Sequence, residues 1–417
     1  MTAAGLDFGT SNSAIGIAHQ GAAKLAPVEG SAQLLPSAVF FDFADLKSAL
    51  YGRAAIEAYT SNQEGRLMRG LKTILGTSLM EDRTQIGARK LALSDVVGMF
   101  IRHLKVKVEN AAGAPIDAVV HGRPVHFADG DAEADRKAEA TLASLARAAG
   151  FAHVSFTYEP LAAAYQYEQM TDREELVLVA DIGGGTSDFS IVRIGPDRRR
   201  RPDRADDILA HSGVRVGGTD FDRNLSMETV MPLMGLGSLL KTKQLPAPIG
   251  PYADLSFWPT INLVYTPRSL RLIRETLADA AEPQRLSRLL HAAERQLGHR
   301  IVFAVEAAKI ALTAKPATRI DLAFLEQTLE AEATRPTFEE VVRFEMNRLR
   351  VAIWSCLAQS GLETEDVSAV FLTGGSSLTP IVAQTICAEV PQAQVRRGDD
   401  FLSVAMGLTL EAQRRYG

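Results

Sequence analysis

Cysteine is nearly missing from this chain of 417 residues, with Cys356 and Cys387 its only two. Two thiols are too few for a disulfide framework or a cysteine-built zinc site. Aromatic side chains are sparse, at 6% with two tryptophans. No apolar run approaches the ~20 residues that a membrane-spanning helix needs, and the first residues carry neither the basic nor the apolar region of a secretory leader. These absences lead to the expectation of a cytoplasmic protein with no membrane partner. A surplus of positive charge is missing as well. The formal net charge is -5, whereas a phosphate-tracking surface is rich in Lys and Arg, so no nucleic-acid partner is expected. The one basic run, Arg198 to Arg201, lies among aspartates between Pro196 and Pro202 and reads as a solvated hairpin tip, with 196–207 a surface loop between strands.

Apolar residues make up 46% of the chain and charged residues 23%, the balance of a folded globular protein. The length suffices for two sizeable cores, which predicts a two-lobed molecule.

The stretch AGLDFGTSNSAIGIA, residues 4–18, is an apolar strand that ends in Asp7 and Gly9 and continues through Thr10, Ser11, Asn12 and Ser13 into a second apolar run. A P-loop or dinucleotide fingerprint needs a helix directly after its glycines. Here Ala14 to Ala18 read as a strand, so the glycine turn sits inside a hairpin. Backbone N–H groups around Gly9 can face an anion, and Thr10, Ser11 and Ser13 add hydroxyl donors. Asp7 repels a phosphate but can hold, through water, the magnesium that neutralises one. Taken alone, the stretch is equally a plain surface hairpin. The device recurs at VLVADIGGGTSDFSIVRI, 177–194, where Asp181 is followed by Gly183, Gly184, Gly185, Thr186, Ser187 and Asp188 and then a strand. Two such hairpins suggest two similar lobes closing on the same phosphates. A third glycine turn follows the strand of AVFLTGGSSLTPIVAQ, at Gly374 and Gly375, with Ser376 next and a helix starting near Ser377 that has Pro380 in its first turn. It reads as a common α/β connection or, in this company, as a floor for an adenosine.

These three elements in this order resemble the nucleotide-binding domain of the DnaK-type heat-shock-70 chaperones, in the actin-like ATPase superfamily, and most of all its short YegD-like members. Further matches are YEPLAAAYQYE at 158–168, VGGTDFD at 216–222, VEAAKIALT at 305–313, RPTFEE at 335–340 and LKTILG at 71–76. The resemblance implies an α/β, two-lobed actin-like (ribonuclease H-like) fold, each lobe a mixed sheet flanked by helices with an inserted subdomain. Lobe I is expected over 1–172, with an insertion at about 37–113, completed by a C-terminal helix from about 397. Lobe II is expected over 173–396, with an upper subdomain at about 222–340. The chain then stops at LTLEAQRRYG, and no peptide-binding domain is expected.

The same resemblance implies ATP or ADP with magnesium as ligands, and assigns roles. Lys72 stands beside the γ-phosphate, and Glu159 senses nucleotide state with Pro160 at the first helical position. Asp181, Thr186 and Asp188 join the catalytic group, and Asp7 and Asp181 hold the metal through water. Gly9, Thr10, Ser11, Asn12, Gly183, Gly184, Gly185 and Thr186 cradle phosphates. Gly217 and Gly218, in the segment entering the second lobe's upper subdomain, bind the cofactor, and Glu306, Lys309, Ile310, Gly374, Gly375, Ser376 and Leu378 belong to the nucleoside end. Read without the resemblance, Glu306 and Lys309 are a surface ion pair three apart on a helix. Ile310 and Leu378 stand where the family sandwiches adenine between two arginines, so the cation–π contribution is lost. Residues 231–285 follow no assignable pattern and are expected to decorate the subdomain that in the family receives exchange factors. The function implied is a slow chaperone-like ATPase switch, a monomer whose output is a protein partner. Alternatives are a bacterial actin-like filament protein, a nucleotide-binding pseudo-ATPase and a small-molecule kinase.

Overall fold

The computed structural model describes every residue except 1, 46–47, 62, 76–77, 87–88, 128–130, 202–203, 243 and 399–401. Gly76, which closes the LKTILG stretch, and Pro202, beside the arginine run, lie outside the described residues.

Strand Ala3–Phe8 is buried on both faces, which is why it is apolar almost throughout. Successive side chains point to opposite sides of a sheet. Ala4, Leu6 and Phe8 accordingly join one buried cluster with Phe100, Ile101 and Leu142 of the helices Leu93–Ala112 and Ala132–Ala149. Ala3 joins another with Leu161 to Ala164 and Leu408, from the helices Glu159–Glu168 and Ser403–Tyr416. The strand pairs antiparallel with Asn12–His19 and parallel with Ala118–Arg123, in a six-stranded sheet ordered His153–Tyr158, Ala118–Arg123, Ala3–Phe8, Asn12–His19, Ala22–Leu25, with Leu35–Pro36 on Asn12–His19.

A second sheet has five strands in the order Gln394–Arg397, Ala369–Thr373, Glu175–Ile182, Ser187–Ile194, Ile208–Val214. Its central strand is again antiparallel to its hairpin partner and parallel to the neighbour on the other side. The repeated hairpin thus belongs to a repeated sheet. Val177, Val179 and Phe371 of this sheet enter the same buried cluster as Ala3 and Leu408.

By contacts the chain divides into two compact units, one of 1–214, 351–377 and 386–417, the other of 215–350 and 378–385. Both large sheets lie in the first unit. The lobe boundary expected at residue 172 is a different partition, and remains a proposal. The second unit contains the helices Gly218–Thr229, Pro267–Ala278, Pro283–Glu294 and Gly298–Ala314, and the hairpin Ala317–Asp321 with Glu330–Thr334. The segment 231–285, unpatterned to the eye, holds the short helices Gly250–Leu255 and Ile261–Val264 before Pro267–Ala278.

Glycine decides how closely the helix Ser403–Tyr416 approaches. A Cβ on Gly407 would stand 1.8 Å from the Ala162 carbonyl oxygen, and one on Gly5 2.2 Å from the Thr409 nitrogen. Backbone cannot yield as a side-chain tip can. Gly407→Ala is therefore expected to cost about 3 kcal/mol in urea unfolding. The control Gly98→Ala, inside a helix with its nearest neighbour at 3.4 Å, is expected to be neutral or to gain up to ~1 kcal/mol. Equal effects of the two changes would contradict this packing.

One sequence reading needs correction here. The stretch 196–207 does connect two strands, but it is not merely surface. Arg204 is buried and bonds Glu168 at 2.7 and 2.8 Å and Asp207 at 2.5 Å, while Arg198 reaches Glu174 and Asp207. Buried carboxylates at 168 and 207 need that partner, and the arginine fork supplies it.

Candidate functional site

The first hairpin turns so tightly at Gly9 that a Cβ there would meet the Asn12 carbonyl oxygen at 2.1 Å. Buried serines brace it from beneath. The Ser37 hydroxyl donates to the Gly9 carbonyl at 2.7 Å, lies 2.8 Å from the Ser13 hydroxyl, and the Ser37 N–H donates to the Ser11 carbonyl at 2.8 Å. Ser13 is therefore spent on the turn, which corrects its reading as a ligand donor. The side chains of Thr10, Ser11 and Asn12 stay partly exposed and have no hydrogen-bond partner among the described residues.

In the second hairpin Asp181 faces Asp188 across the ladder, and the Gly183 N–H closes the turn on the Thr186 carbonyl at 2.9 Å. The two tips meet: a Cβ on Gly184 would stand 2.1 Å from the Ser11 hydroxyl oxygen. The third glycine turn arrives at the same place. Gly374, at φ +78°, would put a Cβ 2.4 Å from the Ile182 carbonyl and 2.6 Å from Asp181 Oδ1, and the Ser376 hydroxyl donates to the Gly183 carbonyl at 2.9 Å. Left-handed backbone and a close approach coincide at Gly374, so only glycine fits there.

Charge gathers at these strand ends. Lys72, in the short helical turn Leu71–Ile74, donates to both oxygens of Glu159 at 2.7 and 2.9 Å, and Glu159 opens the helix Glu159–Glu168. Burial pushes Asp7 up to about 8, with Glu159 and Asp181 adding to the rise and Lys72 opposing it. Asp181 is pushed up to about 6 by burial and Glu159, against Lys72. Asp188 is pushed up to about 7 by burial, Asp181 and Glu159, although Lys72 and the Thr186 hydroxyl favour its charged form. Burial alone would lower the Lys72 ammonium; Glu159, Asp7 and Asp181 outweigh it and hold the lysine above its usual range. One cation thus faces four partly or largely buried carboxylates, a donor set short of positive charge.

A hydrated divalent cation fits this deficit. Among the described residues no three His, Cys, Asp or Glu side chains could hold a metal ion by themselves, so Asp7 and Asp181 suit an ion that keeps most of its waters. At Gly185 a Cβ would meet nothing within 4 Å, and this open space leaves room for phosphate oxygens against backbone N–H groups.

Two histidines escaped the sequence reading. His211, on strand Ile208–Val214, has Nε2 at 3.7 Å from Asp188 Oδ1 and Nδ1 at 3.1 Å from the Ser190 hydroxyl, and burial pushes it down to about 4. His121 donates from Nδ1 to the Gly122 carbonyl at 2.7 Å, has its buried Nε2 without a partner among the described residues, and is also pushed down to about 4, by burial and by Lys72. Neither carries a spacing signal, because one histidine on an apolar strand looks like any core residue.

Residues expected at the nucleoside end lie mostly in the second unit. There Lys309 is not a surface partner of Glu306. It is buried, donating to Asp222 Oδ2 at 2.9 Å and to the Gly218 carbonyl at 3.1 Å. Gly217 donates its N–H to Asp220 at 2.9 Å as a helix cap. Ile310 is 59% exposed, and Glu306 and Leu378 are half-buried. Gly374, Gly375 and Ser376 belong to the first unit, with the phosphate-end residues.

Comparison with known proteins points the same way. A sequence profile of the family described as "Hsp70 protein" matches residues 3–231 and 276–413. The unmatched stretch lies inside 231–285, where the sequence had no assignable pattern. The chain is 26% identical, over 417 residues, to "Chaperone protein DnaK" of Thermosipho melanesiensis, a match covering 98% of this chain and 58% of that protein. The chain therefore spans a little over half the length of the curated relative it matches.

Proposed function

The chain belongs to the Hsp70 family, and from that premise we propose that the carboxylate and glycine cluster binds magnesium with ATP or ADP and hydrolyses ATP slowly, as a switch whose state a protein partner reads. Its α/β fold, two like-ordered mixed sheets flanked by helices, is the actin-like ATPase fold of that family. The observation that carries the proposal is the meeting of Asp7, Lys72, Glu159, Asp181 and Asp188 at two touching glycine tips.

Bound magnesium would neutralise phosphate charge and orient the terminal phosphoryl group. Asp7 and Asp181 would hold the ion through water. With the Gly183 N–H taken by the Thr186 carbonyl, backbone N–H groups near Gly9 to Asn12 and at Gly185 and Thr186 would hold the phosphates, which is most of what phosphoryl transfer asks of a protein. Lys72 stabilises charge developing on the terminal oxygens. Asp188, pushed up to about 7, can take a proton from an attacking water near neutral pH, with Glu159 and Thr186 orienting that water. Ile310 and Leu378 stand where the family carries two arginines, and without those guanidiniums weaker discrimination among bases is expected.

The partner must bind the two nucleotide states unequally, or ATP could not act on it. Chaperone work, a monomeric state and the lobe boundaries belong to the same proposal. Calorimetry tests its base. Wild-type protein is expected to bind ATP and ADP with magnesium and to lose that affinity in EDTA, and Asp181→Ala is expected to bind at least about tenfold more weakly. Equal heats for the variant and the wild type would remove the site assignment. Turnover of tens per second, on the scale of kinases, would remove the switch.

A further inference from the structure

Away from the phosphate site, the first unit has a cavity of about 390 Å³ between the helix Ala132–Ala149 and the strand His153–Tyr158. Its floor is apolar, formed by Ala140 and Ala143 from the helix and Val154 and Phe156 from the strand. The helix adds three charged side chains to the lining, Arg136, Glu139 and Arg147. Positions 136, 140, 143 and 147 share one helix face, and the two arginines are separated by a rise of about 16 Å.

The charges there are unequal. Arg123, also in the lining, is matched by Asp135 at 2.8 Å and by Glu139. Arg136 and Arg147 are exposed and have no side-chain partner among the described residues. In a chain of net charge -5, this leaves a concavity with two guanidiniums unmatched among the described residues and apolar side chains between them.

We infer that this groove docks an extended acidic peptide segment of a partner protein, with carboxylates at positions i and i+4 on Arg136 and Arg147 and an apolar side chain at i+2 on Val154 and Phe156. In an extended chain such carboxylates are about 13 Å apart on one side, within reach of two arginines leaning inward. The apolar residue covers the floor while fork-shaped guanidiniums take the carboxylates. A nucleic acid suits the groove less, since two cations divided by an apolar floor do not form a continuous positive track. Side chains carry the recognition rather than strand addition, because Arg415 already donates to the outward Phe156 carbonyl at 3.1 Å. The groove also adjoins the nucleotide end: the strand His153–Tyr158 runs directly into Glu159, and the Arg123 guanidinium lies 5.1 Å over the Tyr158 ring.

The test uses nucleotide-free full chain, so it stands or falls apart from the phosphate-site reading. A fluorescein-labelled peptide containing Glu-Ser-Leu-Ser-Glu is titrated by anisotropy at low salt. Saturable binding is expected, weakened at least tenfold by Arg136→Glu with Arg147→Glu, and weakened again when lysines replace the peptide's glutamates or serine its leucine. Thermal melting checks that the double variant is folded, and Arg136→Gln with Arg147→Gln serves if it is not. No saturation at millimolar protein, equal binding by the variant, or displacement of the peptide by oligouridylate of the same length with higher affinity would each overturn the proposal.

Discussion

Asp7→Asn is expected to make the ligand-free protein more stable at pH 8 while weakening magnesium–ATP binding about tenfold or more. The two effects have one cause. Asp7 is held at about 8 in the folded chain, against ~3.9 in an unfolded one. Between those values the folded state binds more protons, so this group's contribution to stability falls as pH rises from about 4 through 8. Asp181 and Asp188, pushed up to about 6 and about 7, act in the same direction. A neutral amide at position 7 removes the largest of these penalties, up to about 5 kcal/mol at pH 8, falling to about 1.5 kcal/mol at pH 5 and vanishing only below about pH 4, where the carboxyl is protonated in both states. Denaturation curves at both pH values, run beside calorimetry, check the pair. A variant less stable than wild type at pH 8 with unchanged nucleotide affinity would show that no cation-seeking site exists there.

Lys72→Ala should act in the opposite sense on stability and more severely on turnover. Removing the ammonium leaves Glu159 buried beside Asp7 and Asp181 with no counter-charge, a loss of about 3 kcal/mol when one partner of a buried pair is deleted. ATP hydrolysis in single turnover is expected to fall by about 10²–10³, the scale for removing one donor aimed at developing charge. Lys72→Arg separates the two roles, because a guanidinium can still pair with Glu159 but differs in shape and reach. Recovered stability with turnover still depressed is the expected outcome. Undiminished turnover in Lys72→Ala would transfer the role elsewhere in the cluster.

Much of this site could be read before folding. Asp7 and Asp181 declared themselves by pattern, since a strand ending in an acid, glycines and hydroxyls serves few purposes and occurs twice. Lys72 and Glu159 came from resemblance alone, and 87 residues separate two side chains that bond at 2.7 Å. Ser37 was invisible, because an isolated serine gives no hint that its hydroxyl supports a turn 28 residues earlier. Arg204 was misread with its neighbours as surface, since a polar loop looks solvated until a buried Glu168 is set against it. Lys309 was paired with the wrong acid: spacing offers Glu306, and packing selects Asp222.

Local rules were enough for the strands, the tight glycine turns, the proline-led helix start at Pro380 and the α/β class, because hydrophobic period, backbone sterics and missing donors act within a few residues. The tertiary structure alone decided that four carboxylates would share one lysine, that Gly184 and Ser11 would touch, and that a groove with two unmatched arginines would remain open. Desolvation and Coulomb energy depend on distances through space, and those distances exist only after the two sheets have packed on their common helices.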